Sequence, residues 1–204
     1  DRQLRDEVIT LYLAGHETTA SLLSWALYRL GRHPERQSRI VSEIDAVLAD
    51  GVPSMERLKS LEYTSQFIQE VLRLYPPAWT VARNAVADDE IMGYRIPAGS
   101  IVMVSPYFAH RLEEFWPDPL RFDPERFAPE ASAARNPFAY FPFSLGPRIC
   151  IGMQFSLHEA RLVLAMLLRR FEVLSVGGGE VGTRKVEMLL ACGASVTVVS
   201  IDTT

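Results

Sequence analysis

Cysteine is scarce: Cys150 and Cys192 are the only two in 204 residues. That is too few for a disulfide framework and implies reducing surroundings, with thiolate chemistry the reading to test. Long apolar runs are missing too. The longest obvious one, residues 162–168, is far below the roughly 18 residues that a membrane span requires. The first residues, DRQLRDE, are polar, so neither a signal peptide nor an anchor is expected in this chain, and its expected location is cytoplasmic. Nor is there a basic cluster. The 21 Lys and Arg are scattered among 25 Asp and Glu for a net charge of -4, which excludes recruitment of nucleic acid by charge. Proline is absent outside residues 34–147, while five of the 12 glycines follow residue 175. What remains, 48% hydrophobic and 23% charged, can bury a core and excludes disorder, collagen and coiled coil.

The punctuation divides the chain into zones. Residues 4–30 carry apolar side chains at helical spacing, and Gly31 with His33-Pro34 supplies a stop. Pro34 opens a second helix with Ile40, Val41, Ile44, Val47 and Leu48 on one face, ended by Asp50-Gly51. Ser54 caps a short helical turn. Residues 61–74 form an amphipathic helix with Phe67, Ile68, Val71, Leu72 and Leu74 inward, stopped by Tyr75-Pro76-Pro77. Strand segments TVARNAV, IMGYRI and SIVMVSPY follow, separated by turn signals at Asp88-Asp89 and Pro97-Ala98-Gly99. The Pro- and aromatic-rich residues 116–147 read as ordered coil, and helix returns over roughly 153–170. At the end, FEVLSV, GGGEVG, TRKVEMLLACGA and SVTVVSID read as strand, glycine loop, helix and strand, one βαβ unit.

Chemistry is most legible in FSLGPRICIG, residues 143–152. Cys150 stands just before a helix start, where the helix N-terminus and Arg148 favour its thiolate form, a ligand for a soft metal centre. Gly146 and Gly152 clear side chains so that a flat macrocycle can approach the backbone, and Phe143 can pack beside the sulfur. The bland alternative is a buried, inert cysteine. The Phe, Gly, Arg, Cys and Gly spacing resembles the haem-binding loop of the cytochrome P-450 family of haem-thiolate monooxygenases. Three further segments match that family in order: AGHETT at 14–19, EVLR at 70–73 and PERF at 124–127.

The resemblance implies a fold that is mainly α with small β-sheets over residues 1–172, corresponding to the C-terminal half of the family's fold. It implies haem b with Cys150 as axial ligand to the iron, and it implies Arg148 and Arg83 as propionate partners. It makes Phe143, Gly146 and Gly152 the remaining cofactor-binding positions. Glu17 and Thr18 become the proton-delivery pair, an electron-donating reductase or ferredoxin the partner, and a small organic substrate the target of hydroxylation. Physically, the Thr18 hydroxyl can take the Ala14 carbonyl from the helical ladder and open a slot, against a bland reading of ordinary back-bonding. His16-Glu17 begins a zinc-protease-like motif, but Ala20 replaces the second ligand, which excludes that reading. Glu70 and Arg73 can pair on one helix face, with Arg126 implied as a third member. His33, His110 and His158 lack ligand partners at useful spacing.

Because the resemblance starts partway along the distal helix, most of the substrate pocket is expected to lie outside this chain, which should bind haem poorly and turn over slowly or not at all. Residues 173–204 depart from the family. GGGEVG fits G-x-G-x-x-G, and Asp202 stands 20 residues beyond Gly182, as in a dinucleotide site. This tail is similar to the NAD-binding start of precorrin-2 dehydrogenase in sirohaem synthases. The readings of the tail are a truncated or recombined coding end, which is preferred, and an NAD site. The alternatives for the whole chain are an NAD-dependent dehydrogenase fragment of tetrapyrrole synthesis and a non-catalytic haem-binding remnant.

Overall fold

A computed structural model describes residues 1–49 and 51–174. Helix α1 (Arg2–Arg32) runs one full turn beyond the periodic segment in total, because Asp1 accepts a hydrogen bond from the Gln3 amide and the Leu30 carbonyl accepts from the His33 amide. Its buried residues, Thr19, Leu22, Ala26 and Leu30, recur every three or four positions and all lie in its second half. Helix α2 (Pro34–Leu48) starts on Pro34 and buries Gln37, Ile40, Ile44 and Leu48, with Val41 and Val47 packed at the edge of the same cluster. The chain leaves it through Ala49 at φ 45°. The short helix α3 (Met55–Lys59) is capped by Ser54, whose hydroxyl accepts from the Arg57 amide.

Helix α4 (Glu62–Leu74) is the centre of the core, with Phe67, Ile68, Val71, Leu72 and Leu74 buried as expected. Its own N-terminal residue, Leu61, has no capping group. The cap comes from α2 instead: Glu43 accepts from the Tyr63 amide at 2.6 Å and from the Thr64 amide and hydroxyl at 2.8 and 2.6 Å. Helix α7 (Met153–Leu168) completes the bundle, burying Ala160, Leu164, Ala165 and Leu168 against α1, α2, α3 and α4.

Two small antiparallel sheets flank the bundle. In the first, β1 (Val81–Asn84) pairs with β4 (Ile101–Val104), Arg83 standing opposite Val102. In the second, β2 (Asp89–Ile91) pairs with β3 (Tyr94–Ile96). IMGYRI is therefore not one strand. Met92 and Gly93 take φ 53° and 85°, the pair of left-handed residues that a two-residue hairpin turn requires, and they split the segment. Asp89 opens β2 rather than forming a turn; only Asp88 does turn work, accepting from the Ala98 amide and from Arg95. Helix α5 (Pro106–Ala109) leads into the long coil, which holds short 3-10 turns at Pro124–Phe127, Pro137–Ala139 and Gly146–Arg148 and the five-residue α6 (Pro129–Ala133).

This is the mainly helical fold with small sheets that the sequence implied. The expected strand at FEVLSV is corrected for its described part. Residues 171–174 form no strand, and the Val173 amide donates to the side chain of Gln37 on α2 instead of to a sheet. The glycine loop, second helix and second strand of the expected βαβ unit, with Asp202 and Cys192, lie outside the described residues, as does Asp50.

Candidate functional site

The loop before α7 begins with a turn in which the Phe141 carbonyl accepts from the Ser144 amide at 3.1 Å. Ser144 and Gly146 both adopt left-handed backbone, φ 64° and 67°. Nothing stands within 4 Å of where a Cβ on Gly146 would lie, so its glycine answers a backbone requirement and leaves open space beside it. The 3-10 turn Gly146–Arg148 then delivers Cys150. The Cys150 amide donates to the Phe143 carbonyl at 2.9 Å, and the Cys150 carbonyl accepts from Met153, the first residue of α7. The thiol is exposed, just before the helix start, and Gly152 keeps the space beside its sulfur free: a Cβ there would meet Sγ at 3.8 Å. Thus Phe143 holds Cys150 through its backbone, while its ring packs on the main core. Leu145, Ile149, Ile151 and Phe155 surround the loop as exposed apolar side chains.

Arg83 and Arg148, far apart in sequence, line one open cleft of about 560 Å³ with Val81, Ala82, Asn84 and Ser144. Register places Arg83 here: β1 runs beside β4, and its guanidinium donates to the Ser144 hydroxyl at 3.1 Å. Sequence reading missed Ser144, whose positive φ leaves no signature in its residue type. These residues fit a haem. An exposed thiol stands at the foot of a helix, two guanidinium groups line one cleft that suits paired carboxylates, and Leu145, Ile149, Ile151 and Phe155 of the same segment expose apolar surface. Among the described residues no three His, Cys, Asp or Glu side chains come together as a metal-holding group.

On α1, the Thr18 hydroxyl donates to the Ala14 carbonyl at 2.7 Å. The expected bond is there, but the expected slot is not: α1 is continuous helix through Ala14 and Thr18, because a threonine can share the i−4 carbonyl without displacing its amide partner. Glu17 and Thr18 are exposed, on the half of α1 that contributes nothing to the core. Gly15 has nothing within 4 Å of a Cβ position, so a ligand plane has room there.

Behind the loop lies a buried polar network. Glu70 and Arg73 are fully buried, their two-pronged pair measuring 2.6 and 2.8 Å. Arg73 also donates to the carbonyls of His110, Pro119 and Arg121, so all five of its N–H groups are used. Glu70 further accepts from the Asp123 amide at 2.8 Å and faces Arg126 at 3.7 Å, the third member that the resemblance implied. Burial pushes the Glu70 carboxyl up, and Arg73 and the Asp123 amide pull it back. His110 is buried between Trp116, Tyr140 and Phe141, and both its ring nitrogens meet backbone. Its pKa falls to about 3 through burial, with Arg73, Arg111 and Arg135 adding repulsion.

The chain matches the family described as Cytochrome P450 over residues 1–195. It is 39% identical over 191 residues to Cytochrome P450 4c21 of Blattella germanica, covering 93% of this chain and 38% of that protein. It is 42% identical over 174 residues to Cytochrome P450 4V2 of Homo sapiens, covering 84% and 33%. It is 40% identical over 178 residues to the cyclooctat-9-en-7-ol 5-monooxygenase of Streptomyces melanosporofaciens, covering 87% and 39%. The chain thus spans a third to two fifths of the length of these relatives, and they lend no support to the dehydrogenase alternative. With a family match over nearly the whole chain and relatives of about 40% identity from insect, human and bacterium alike, the chain belongs to the cytochrome P450 family.

Proposed function

We propose that the chain carries the haem-holding part of a monooxygenase that hydroxylates a small organic substrate, with electrons from a separate reductase or ferredoxin. One oxygen atom enters the substrate and the other leaves as water. The observation that carries this reading is that Arg83 and Arg148 line one cleft with Ser144, while the same loop, two residues past Arg148, presents the exposed Cys150. The Streptomyces relative, named a monooxygenase, supports the reaction class.

Haem iron, when bound, supplies the activation of oxygen. Cys150, exposed just before the N-terminus of α7, would hold the iron through its sulfur, and Arg148 stands two residues before it in the same loop. Arg148 and Arg83 bind and orient the propionates. Gly152 leaves the space beside the sulfur clear, and the exposed apolar Leu145, Ile149, Ile151 and Phe155 would lie against a face of the bound group. On α1, Thr18 has committed its hydroxyl proton to the Ala14 carbonyl, so its oxygen accepts from a water, and the neighbouring Glu17 carboxylate takes and gives the proton. Because thiol, loop and cleft are all open to solvent, the 204-residue chain alone holds haem weakly.

Haem titration followed at the Soret band tests the reading. Arg83→Gln and Arg148→Gln should each weaken binding by about threefold to tenfold, as expected for loss of one hydrogen bond worth about 1 kcal/mol in a cleft open to solvent. Affinity unchanged in both variants and in Cys150→Ala would remove the site.

A further inference from the structure

We propose that His110 is a positioning residue that ties the end of α4 to the cysteine loop through a two-sided hydrogen bond. Its Nε2 lies 3.0 Å from the Phe141 amide, which can only donate, so Nε2 must be the unprotonated nitrogen. Its Nδ1 therefore carries the proton and donates to the Arg73 carbonyl at 3.2 Å. Two backbone partners fix the tautomer, and Arg73 returns the contact by donating to the His110 carbonyl. Trp116, Tyr140 and Phe141 hold the ring in place.

What His110 grips is the first residue of the turn that builds the site. The Phe141 carbonyl accepts from Ser144, Ser144 accepts from Arg83, and two residues past Phe141 the Phe143 carbonyl receives the Cys150 amide. One path from the buried Glu70–Arg73 pair to the Cys150 amide thus runs through the imidazole, next to the tie that the Tyr140 hydroxyl makes to the Gln69 carbonyl on α4. Its inability to charge near neutrality, with Arg73, Arg111 and Arg135 close by, keeps Nε2 an acceptor. The inference deepens the proposed function, in which Cys150 is the iron ligand, but it concerns the apoprotein.

Two variants separate the halves of the bridge. His110→Gln can place its carbonyl where Nε2 stands, keeping the Phe141 acceptor and losing the Arg73 donor. His110→Asn can place its amide where Nδ1 stands, keeping the donor and losing the acceptor. Residue-resolved amide exchange on the full chain without haem should show the Phe141 and Cys150 amides exchanging about tenfold faster in the Asn variant than in the Gln variant, as loss of one buried acceptor requires. A general structural role predicts the same exchange at Cys150 in both variants, and that result would overturn the proposal. If neither variant folds, nitrogen NMR of the unmodified protein decides: a proton on Nδ1 alone supports the bridge, and a proton on Nε2 breaks it. No haem enters either measurement, so failure here leaves the role of Cys150 standing.

Discussion

Replacing Arg73 by lysine keeps the charge and removes the fork. The five N–H groups of Arg73 meet Glu70 twice and the carbonyls of His110, Pro119 and Arg121 once each. An ammonium has three protons at most, so at least two of those five contacts disappear in a site that solvent does not reach. At about 1–3 kcal/mol for each buried group left unsatisfied, the loss is about 2–6 kcal/mol. Against a total stability of about 5–15 kcal/mol, Arg73→Lys should lower the urea midpoint sharply or abolish folding. Urea unfolding followed by far-UV circular dichroism measures it. A loss below about 1 kcal/mol would refute the reasoning, because it would mean the fork carries no more than an exposed ion pair.

Three further outcomes follow from the same geometry. Glu43→Ala removes the cap that α2 lends to α4 and should cost about 1–2 kcal/mol, with Glu43→Gln costing less because its carbonyl still accepts; equal costs in chemical denaturation would contradict this. His110 is held to about 3 in the folded chain against an ordinary 6.5, so between those values the unfolded chain binds more protons. Its contribution is complete above pH 6.5 and is lost on acidification by about 1.4 kcal/mol per unit; His110→Gln should flatten that slope, and an unchanged slope would sink the assignment. Gly146→Ala meets open space but a φ of 67°, so it should cost about 1 kcal/mol by thermal unfolding without disturbing the core; a stabilised variant would show that the loop is not held left-handed.

Elements with one repeating face were legible: Ile40, Ile44 and Leu48 announce α2, and Tyr75-Pro76-Pro77 ends α4 where expected. What stayed hidden depends on backbone atoms or on packing between distant segments. The Glu43 cap joins residues 20 apart that meet only after α2 packs on α4. Both partners of His110 are main-chain groups, which carry no sequence signature, so the residue could be read as structural but its partners could not be named. The hairpin turn hid because Met92, a residue that rarely takes positive φ, shares it with Gly93. The cysteine loop was legible because its requirements fall on residue types: glycine for φ at Gly146, thiol at Cys150 and charge at Arg148. Its Ser144 strain and Arg83 contact were not. At Thr18 the local bond could be foreseen, whereas the undisturbed ladder of α1 could not.

The central claim, that Cys150 binds haem iron as a thiolate, is tested most directly by the Soret band of the haem-supplemented, dithionite-reduced chain under carbon monoxide, compared with that of Cys150→Ala. The native chain should show a strongly red-shifted band that the variant loses. A band unshifted in both would contradict it.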